Sequence, residues 1–271
     1  MLRISLVQTE SRPGEPQANL ALAREAAARA EGRVVVFPEL FNAGYDLSVI
    51  DSIPEAALAD FRGGLAALSR ETGKIVISGC LARGARKFRN EAVVFREGAE
   101  AACYTKVHLC QTPPVDEMLH FEAGDAPVVV DIDGWRCGLA ICYDLRFPAL
   151  FQAYRRLGAD AIILISAWPV ERWSHWYTLL RARAIENQCY VLACGMIGAV
   201  PAATFCGASL GFDPWGNPLA EADCFSPKIV ETALVRAEIE RYRPMHPIGR
   251  HERLDLYGDW LRLSERGRTA P

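Results

Sequence analysis

The chain has 271 residues, 51% of them hydrophobic and 23% charged, a composition that supplies one large core and excludes a disordered chain. Lys and Arg number 30 against 33 Asp and Glu, and a formal charge of −3 excludes the basic footprint needed by a nucleic-acid or anionic-membrane binder. The opening MLRISLVQTE has too short an apolar stretch for a signal peptide, and no run approaches the roughly 18 residues of a membrane span.

Short β-branched runs bounded by Gly, Pro, Asn or Asp predict strands at 2–7, 33–37, 74–78, 92–95, 127–132, 136–141, 161–165, 190–193 and 228–235. Apolar residues at three- and four-residue intervals predict helices at 17–30, 55–72, 147–157 and 175–188. The alternation predicts an α/β fold. With no linker and no internal repeat, a single domain over 1–271 is expected, with an irregular C-terminal tail from about 241.

Nine cysteines, an odd number set mostly in apolar segments, read as free thiols in a reducing cytosol, so a cytoplasmic protein is expected. There is no Cys-x-x-Cys pair and no Cys/His cluster at zinc spacing, so no metal is expected.

The segment WRCGLAICYDLRFP is an apolar strand that ends at Cys142 and turns into a helix. A cysteine at such a junction meets the N–H groups of a helix start, which favour a thiolate and can hold a developing oxyanion. The other eight cysteines read as small buried residues. In VVVFPELFNAGY, Glu39 follows an apolar strand beside a proline and an aromatic-rich loop. Desolvation there lifts a carboxyl toward the range of a general base. Lys106, in YTKVHL, ends an apolar segment, where an ammonium can stabilise an anionic intermediate. Taken singly, Glu39 reads as a turn partner and Lys106 as a solvated strand-end charge.

Together, FPEL at Glu39, YTKVHL at Lys106 and ICYDLRFP at Cys142 resemble the Glu-Lys-Cys signature of the nitrilase superfamily, the carbon–nitrogen hydrolases, in the family's order. HWYTLLRARAIENQCYV at 175–191 and GASLGFDPWG at 207–216 extend the resemblance to about Tyr257. It implies a four-layer α-β-β-α sandwich, no cofactor, and subunits that pair as a homodimer or higher homo-oligomer. It also implies that Cys142 attacks an amide carbonyl, Glu39 takes the thiol proton and later activates water, and Lys106 stabilises the tetrahedral intermediate with the Tyr143 N–H as second oxyanion donor. Glu117, in DEMLHFEAG, resembles the family's second glutamate, which orders the lysine and the substrate; Asp116 and Glu122 are its acidic neighbours. Cys110 and Gln111 depart from the Phe-Asp of many members, leaving the loop at 110–114 without an analogue.

Two rivals exist. Gly207-Ala-Ser209-Leu-Gly211 satisfies a serine hydrolase's Gly-x-Ser-x-Gly, but turn-forming Phe-Asp-Pro-Trp-Gly follows where that motif needs a helix. A non-catalytic binding protein on the same fold would be favoured by loss of Glu, Lys or Cys, and all three are present. Within the enzyme reading, AWPVERWSHW resembles amidases of the ω-amidase kind, which act on small carboxylate-bearing amides; an N-carbamoyl hydrolase or a nitrilase would use the same triad. Arg172 offers a planar fork to a substrate carboxylate, or is a solvated first-turn residue. Phe41, Tyr45 and Trp168 are candidates for the pocket wall, with core packing as the alternative. His108 and His175 read as structural.

Overall fold

The computed structural model describes residues 1–261. Strand β1 (Leu2–Gln8) opens a sheet continued by β2 (Val34–Val36), β3 (Ile75–Arg83), β4 (Phe88–Arg96) and β5 (Ala99–Thr105). A hairpin, β6 (Gln111–Thr112) with β7 (Val115–Asp116), leads to a second sheet started by β8 (Val129–Ile132), β9 (Trp135–Ile141), β10 (Ala161–Ser166) and β11 (Tyr190–Gly195). The hairpin of β12 (Ile197–Val200) and β13 (Ala203–Cys206) intervenes before β14 (Leu210–Phe212) and β15 (Pro218–Glu221) complete that sheet. Finally β16 (Lys228–Leu234) returns to pair antiparallel with β1. The two six-stranded sheets run β16-β1-β2-β3-β4-β5 and β15-β14-β11-β10-β9-β8.

The centre of each sheet is parallel, and parallel neighbours need a crossover. Helix α1 (Pro16–Arg29) joins β1 to β2 and α2 (Glu55–Thr72) joins β2 to β3. In the second sheet α3 (Pro148–Arg156) joins β9 to β10 and α4 (Trp173–Asn187) joins β10 to β11. The two-residue period of a strand sorts the side chains into layers. Ile4, Leu6, Val34, Val36 and Ile77 join the core between the sheets, where β1 packs against β11. Val35, Val76 and Val93 face outward onto Ala23 and Ala27 of α1 and Phe61, Leu65 and Leu68 of α2, the last three spaced to share one helix face. In the second sheet every residue of β10 is buried, because helices cover its other face too. The result is the α-β-β-α sandwich expected from the resemblance.

Every predicted strand and helix is present, with ends shifted by a few residues, while β5–β7 and β12–β15 are additional. Strand β5 escaped prediction because AEAACYT sits at a half-exposed sheet edge and has no clean alternation. The stretch from 241, expected to be irregular, is partly helical. Helix α5 (Arg236–Met245) runs through it and α6 (Leu254–Leu261) follows. Pro244 falls in the last turn of α5, where it removes one intrahelical hydrogen bond. Ile239 and Tyr242, one turn apart, are buried, and the Tyr242 ring lies 3.9 Å from Trp215, so tertiary packing outweighs the breaker signal. The closing residues 262–271 lie outside the described residues.

Candidate active site

Strand β9 delivers Cys142. The residue follows Ile141 with φ +46°, a left-handed conformation that is unfavourable for a side chain with a Cβ and turns it sharply off the strand. Residues 142–146 form a single tight turn before α3. Buried Asp144 fixes that turn: its Oδ2 accepts from the Ile141 N–H at 3.0 Å and the Tyr104 hydroxyl at 2.8 Å. Its Oδ1 accepts from the His108 N–H at 3.0 Å and lies 2.8 Å from His108 Nδ1. One carboxylate thus ties the cysteine turn to the end of β5 and to the lysine loop. From α4, buried Arg183 donates to the Leu145 carbonyl from Nε at 3.2 Å and Nη2 at 2.8 Å.

Glu39 sits in the turn after β2, fully buried. The turn presses against β3 at Gly79, whose N–H donates to the Pro38 carbonyl at 3.0 Å and whose carbonyl accepts from the Phe41 N–H at 3.0 Å. A Cβ on Gly79 would come within 2.3 Å of the Pro38 oxygen and 2.6 Å of Glu39 Cα, so glycine is required there. The carboxylate is then oriented from three sides. Its Oε1 accepts from Asn90 Nδ2 at 2.7 Å and Lys106 Nζ at 2.8 Å, and its Oε2 from the Ala167 N–H at 2.8 Å. One lone pair of Oε2 is left for another proton donor.

Lys106, also fully buried, follows β5 and donates a second bond to Glu117 Oε1 at 2.7 Å. Glu117 Oε1 also accepts from the Tyr45 hydroxyl at 2.6 Å, and its Oε2 from the Cys110 N–H at 2.6 Å. An ammonium has three donors, so one remains. Burial lifts the Glu39 carboxyl above its ordinary value of 4.5, against the pull of Lys106 and with the help of the Glu117 charge. Burial alone would lower the Lys106 pKa, but Glu117 and Glu39 outweigh it and hold it well above the ordinary value. Burial and the Glu39 charge push the Cys142 thiol up, while the Lys106 ammonium pulls it down. The thiol therefore rests protonated next to a carboxylate that can take its proton as it reacts.

A cavity of about 250 Å³ opens onto Cys142. Tyr45, Tyr143, Trp168 and Phe205 line it, with Thr112 and Val115 of the β6–β7 hairpin on one side. The 110–114 segment without an analogue thus forms pocket wall. Arg146 and Arg172 also line the cavity. The Arg146 guanidinium lies 4.8 Å over the Trp168 ring, and among the described residues neither arginine makes an ion pair. No cluster of three or more His, Cys, Asp or Glu able to hold a metal occurs among the described residues.

Most sequence-predicted residues converge here: Glu39, Lys106, Glu117, Cys142, Tyr143, Tyr45, Trp168 and Arg172. Phe41 does not. It stacks on Phe37 at 4.9 Å and packs against Phe61 in the core beneath α1 and α2, because its ring fills the helix-facing side of the Glu39 turn. Ser209 is buried, its Oγ accepting from the Gly195 N–H at 2.9 Å and making no hydrogen bond to a histidine among the described residues, which removes the serine reading. His108 stacks on Phe147 at 3.8 Å and braces Asp144, a structural task. Asn90, the Ala167 N–H, Asp144 and Arg146 were missed. Asp144 and Arg146 stood inside ICYDLRFP, whereas Asn90 and Ala167 had no signal in the sequence.

A cysteine on a strained strand end beside a buried carboxylate–ammonium–carboxylate cluster, set between two packed sheets, defines a hydrolase of the Glu-Lys-Cys type. The carbon–nitrogen hydrolase family model matches residues 3–244, and the chain belongs to that family. It is 34% identical over 264 residues to the 2-oxoglutaramate amidase of Bacillus subtilis strain 168, covering 94% of this chain and 98% of that protein. It is 31% identical to the omega-amidase YafV of Escherichia coli K12, covering 79% and 82% of the two chains. An amidase from Nesterenkonia sp. AN1, solved in complex with acrylamide, superposes with a TM-score of 0.86 at 27% identity, covering 96% of this chain and 97% of that one. In another structure of the same amidase, the acetamide moiety of fluoroacetamide is added covalently at the active-site cysteine.

Removing the ammonium should leave two buried carboxylates facing each other. Lys106→Met is expected to destabilise the fold by about 3–5 kcal/mol in denaturant unfolding, and adding Glu117→Gln should recover part of that loss; equal stability of wild type and Lys106→Met would contradict the geometry. Gly79→Ala should displace the Glu39 turn and lower kcat/KM by roughly 100-fold, and unchanged kinetics would show that the turn tolerates a side chain.

Proposed function

We propose that the protein hydrolyses the terminal amide of a small carboxylate-bearing substrate, an ω-amide, with release of ammonia. The observation that carries this reading is that two guanidinium groups without ion-pair partners among the described residues, Arg146 and Arg172, line the same small cavity as Cys142. A guanidinium binds a carboxylate through paired donors, and the cavity suits a compact substrate. The relatives that are themselves amidases of ω-amides support it.

The reaction runs in two halves. Cys142 Sγ bonds to the amide carbon while its proton passes to the free lone pair of Glu39, and the carbonyl oxygen takes the negative charge. The third N–H of Lys106 and the Tyr143 N–H, in the first turn where helical N–H groups lack partners, hold that oxyanion. Glu39 returns the proton to the nitrogen, the C–N bond breaks and ammonia leaves. Water then adds to the thioester as Glu39 takes its proton, the C–S bond breaks, and the proton returns to the sulfur. Glu117 positions the lysine, and Tyr45 and Trp168 shape the substrate's path.

The same reading covers place and assembly. Nine free thiols support a reducing, cytoplasmic setting. No helix among the described residues is long and apolar enough to cross a membrane. Trp173 and Ile185, 40% and 38% exposed on α4, leave apolar surface that supports a homodimer or higher homo-oligomer, which light scattering after size exclusion would detect.

Ammonia release from a panel of ω-amides, neutral amides, carbamoyl compounds and nitriles tests the proposal. The ω-amides should be best and Cys142→Ala inactive though folded; preference for a nitrile or carbamoyl compound would overturn the substrate class. Arg146→Ala or Arg172→Ala should raise KM for carboxylate-bearing amides about tenfold relative to neutral ones, and an equal effect on both would remove the clamp. Because burial raises the Glu39 carboxyl, it takes a proton at a higher pH than a free glutamate does. The acid limb of kcat/KM should therefore have its midpoint above 4.5, and a midpoint at or below 4.5 would exclude Glu39 as the base.

A further inference from the structure

Strand β10 ends beside the nucleophile in a residue to which the reaction above gives no task. Strands β9 and β10 pair in parallel with Ile141 opposite Ile165, so the next residue of each, Cys142 and Ser166, lie side by side where the strands stop. Ser166 is fully buried. Its Oγ has no hydrogen-bond partner among the described residues, although its backbone is fixed by the pairing of β10 with β11 and by the Met196 N–H donating to its carbonyl at 2.8 Å. The next residue, Ala167, gives its N–H to Glu39 and has its carbonyl 3.9 Å from Cys142 Sγ. A buried hydroxyl without a partner is costly, and such groups in native proteins call for a reason. Here the reason is a partner that becomes a strong acceptor only when it ionises, because a neutral thiol is a weak one.

We infer that the Ser166 hydroxyl donates a hydrogen bond to the Cys142 sulfur whenever that sulfur carries negative charge. The bond forms as the thiol gives up its proton to Glu39, weakens when the sulfur is in the thioester, and forms again as the C–S bond breaks. Burial and the Glu39 charge raise the thiol's pKa, and the Ser166 hydroxyl acts with Lys106 in the opposite direction, which agrees with a donor aimed at the thiolate. Ser166 would therefore set the pH at which the nucleophile becomes available, a task separate from binding the substrate. The inference rests on Cys142 being the nucleophile.

The test is the pH dependence of Cys142 alkylation by iodoacetamide, followed by peptide mapping so that the other eight thiols do not contribute. Wild type must first show Cys142 labelling and Cys142-dependent ammonia release; absence of both would defeat the nucleophile reading itself and would say so before any serine variant is made. In Ser166→Ala the alkylation midpoint should rise by about one pH unit, slowing labelling about tenfold below the midpoint. Across the pH profile kcat/KM should fall by a similar factor, its acid limb still set by Glu39, with KM little changed. Since the hydroxyl has no partner in the resting protein, the melting temperature should be unchanged or higher. Ser166→Gly removes the same hydroxyl and should give the same midpoint, which separates loss of the donor from any repacking around the new methyl group. An unmoved midpoint in a folded variant, even with a lower rate, would overturn the inference and make Ser166 a packing residue.

Discussion

The Lys106 ammonium, buried between Glu39 and Glu117, is the interaction on which the rest of the site depends. Each carboxylate lies within 2.8 Å of Nζ, and all three side chains are fully buried. Charges removed from water at this depth are tolerated only when geometry and further hydrogen bonds compensate them. Here Asn90, Tyr45 and the Ala167 and Cys110 N–H groups supply the compensation. Two carboxylates and one ammonium leave an excess negative charge facing the Cys142 thiol. Burial and that excess keep the resting thiol protonated, with Glu39 as its proton acceptor.

The sandwich exists, from the site's point of view, to bring together strand ends that are far apart in sequence. Glu39 follows β2 and Lys106 follows β5, both in the first sheet, while Cys142 follows β9 and Ala167 follows β10 in the second. The bond from the Ala167 N–H to Glu39 Oε2 crosses from one sheet to the other, so core packing and the aim of the carboxylate are one constraint. The same holds at Asp144, where four donors from the cysteine turn, β5 and the lysine loop meet on one carboxylate. A shift in either sheet would misalign the general base and the nucleophile together.

Glu39, Lys106 and Cys142 were legible because each is a polar or reactive side chain placed just past an apolar strand, in an order that resembles a known family. Glu117 was legible through the residues around it. The parts that were not legible are of two kinds. The Ala167 N–H and the Asn90 amide are a backbone group and a neutral side chain whose importance arises only from where they meet Glu39. Phe41 shows the other kind, since an aromatic two residues from a catalytic glutamate can face the pocket or the opposite core, and only the packing against Phe61 decides. Likewise Pro244 and Pro247 suggested an irregular tail, and only the stacking of Tyr242 on Trp215 shows why a helix persists there.

The central claim is that turnover passes through an acyl group on Cys142. Acid quenching during steady turnover of an ω-amide, followed by mass mapping of the peptide that contains Cys142, tests it most directly. The expected result is a mass increment equal to the acyl group less one hydrogen on that peptide alone, decaying as substrate is exhausted. Ammonia release with the increment on another cysteine, on Ser209 or nowhere would contradict it.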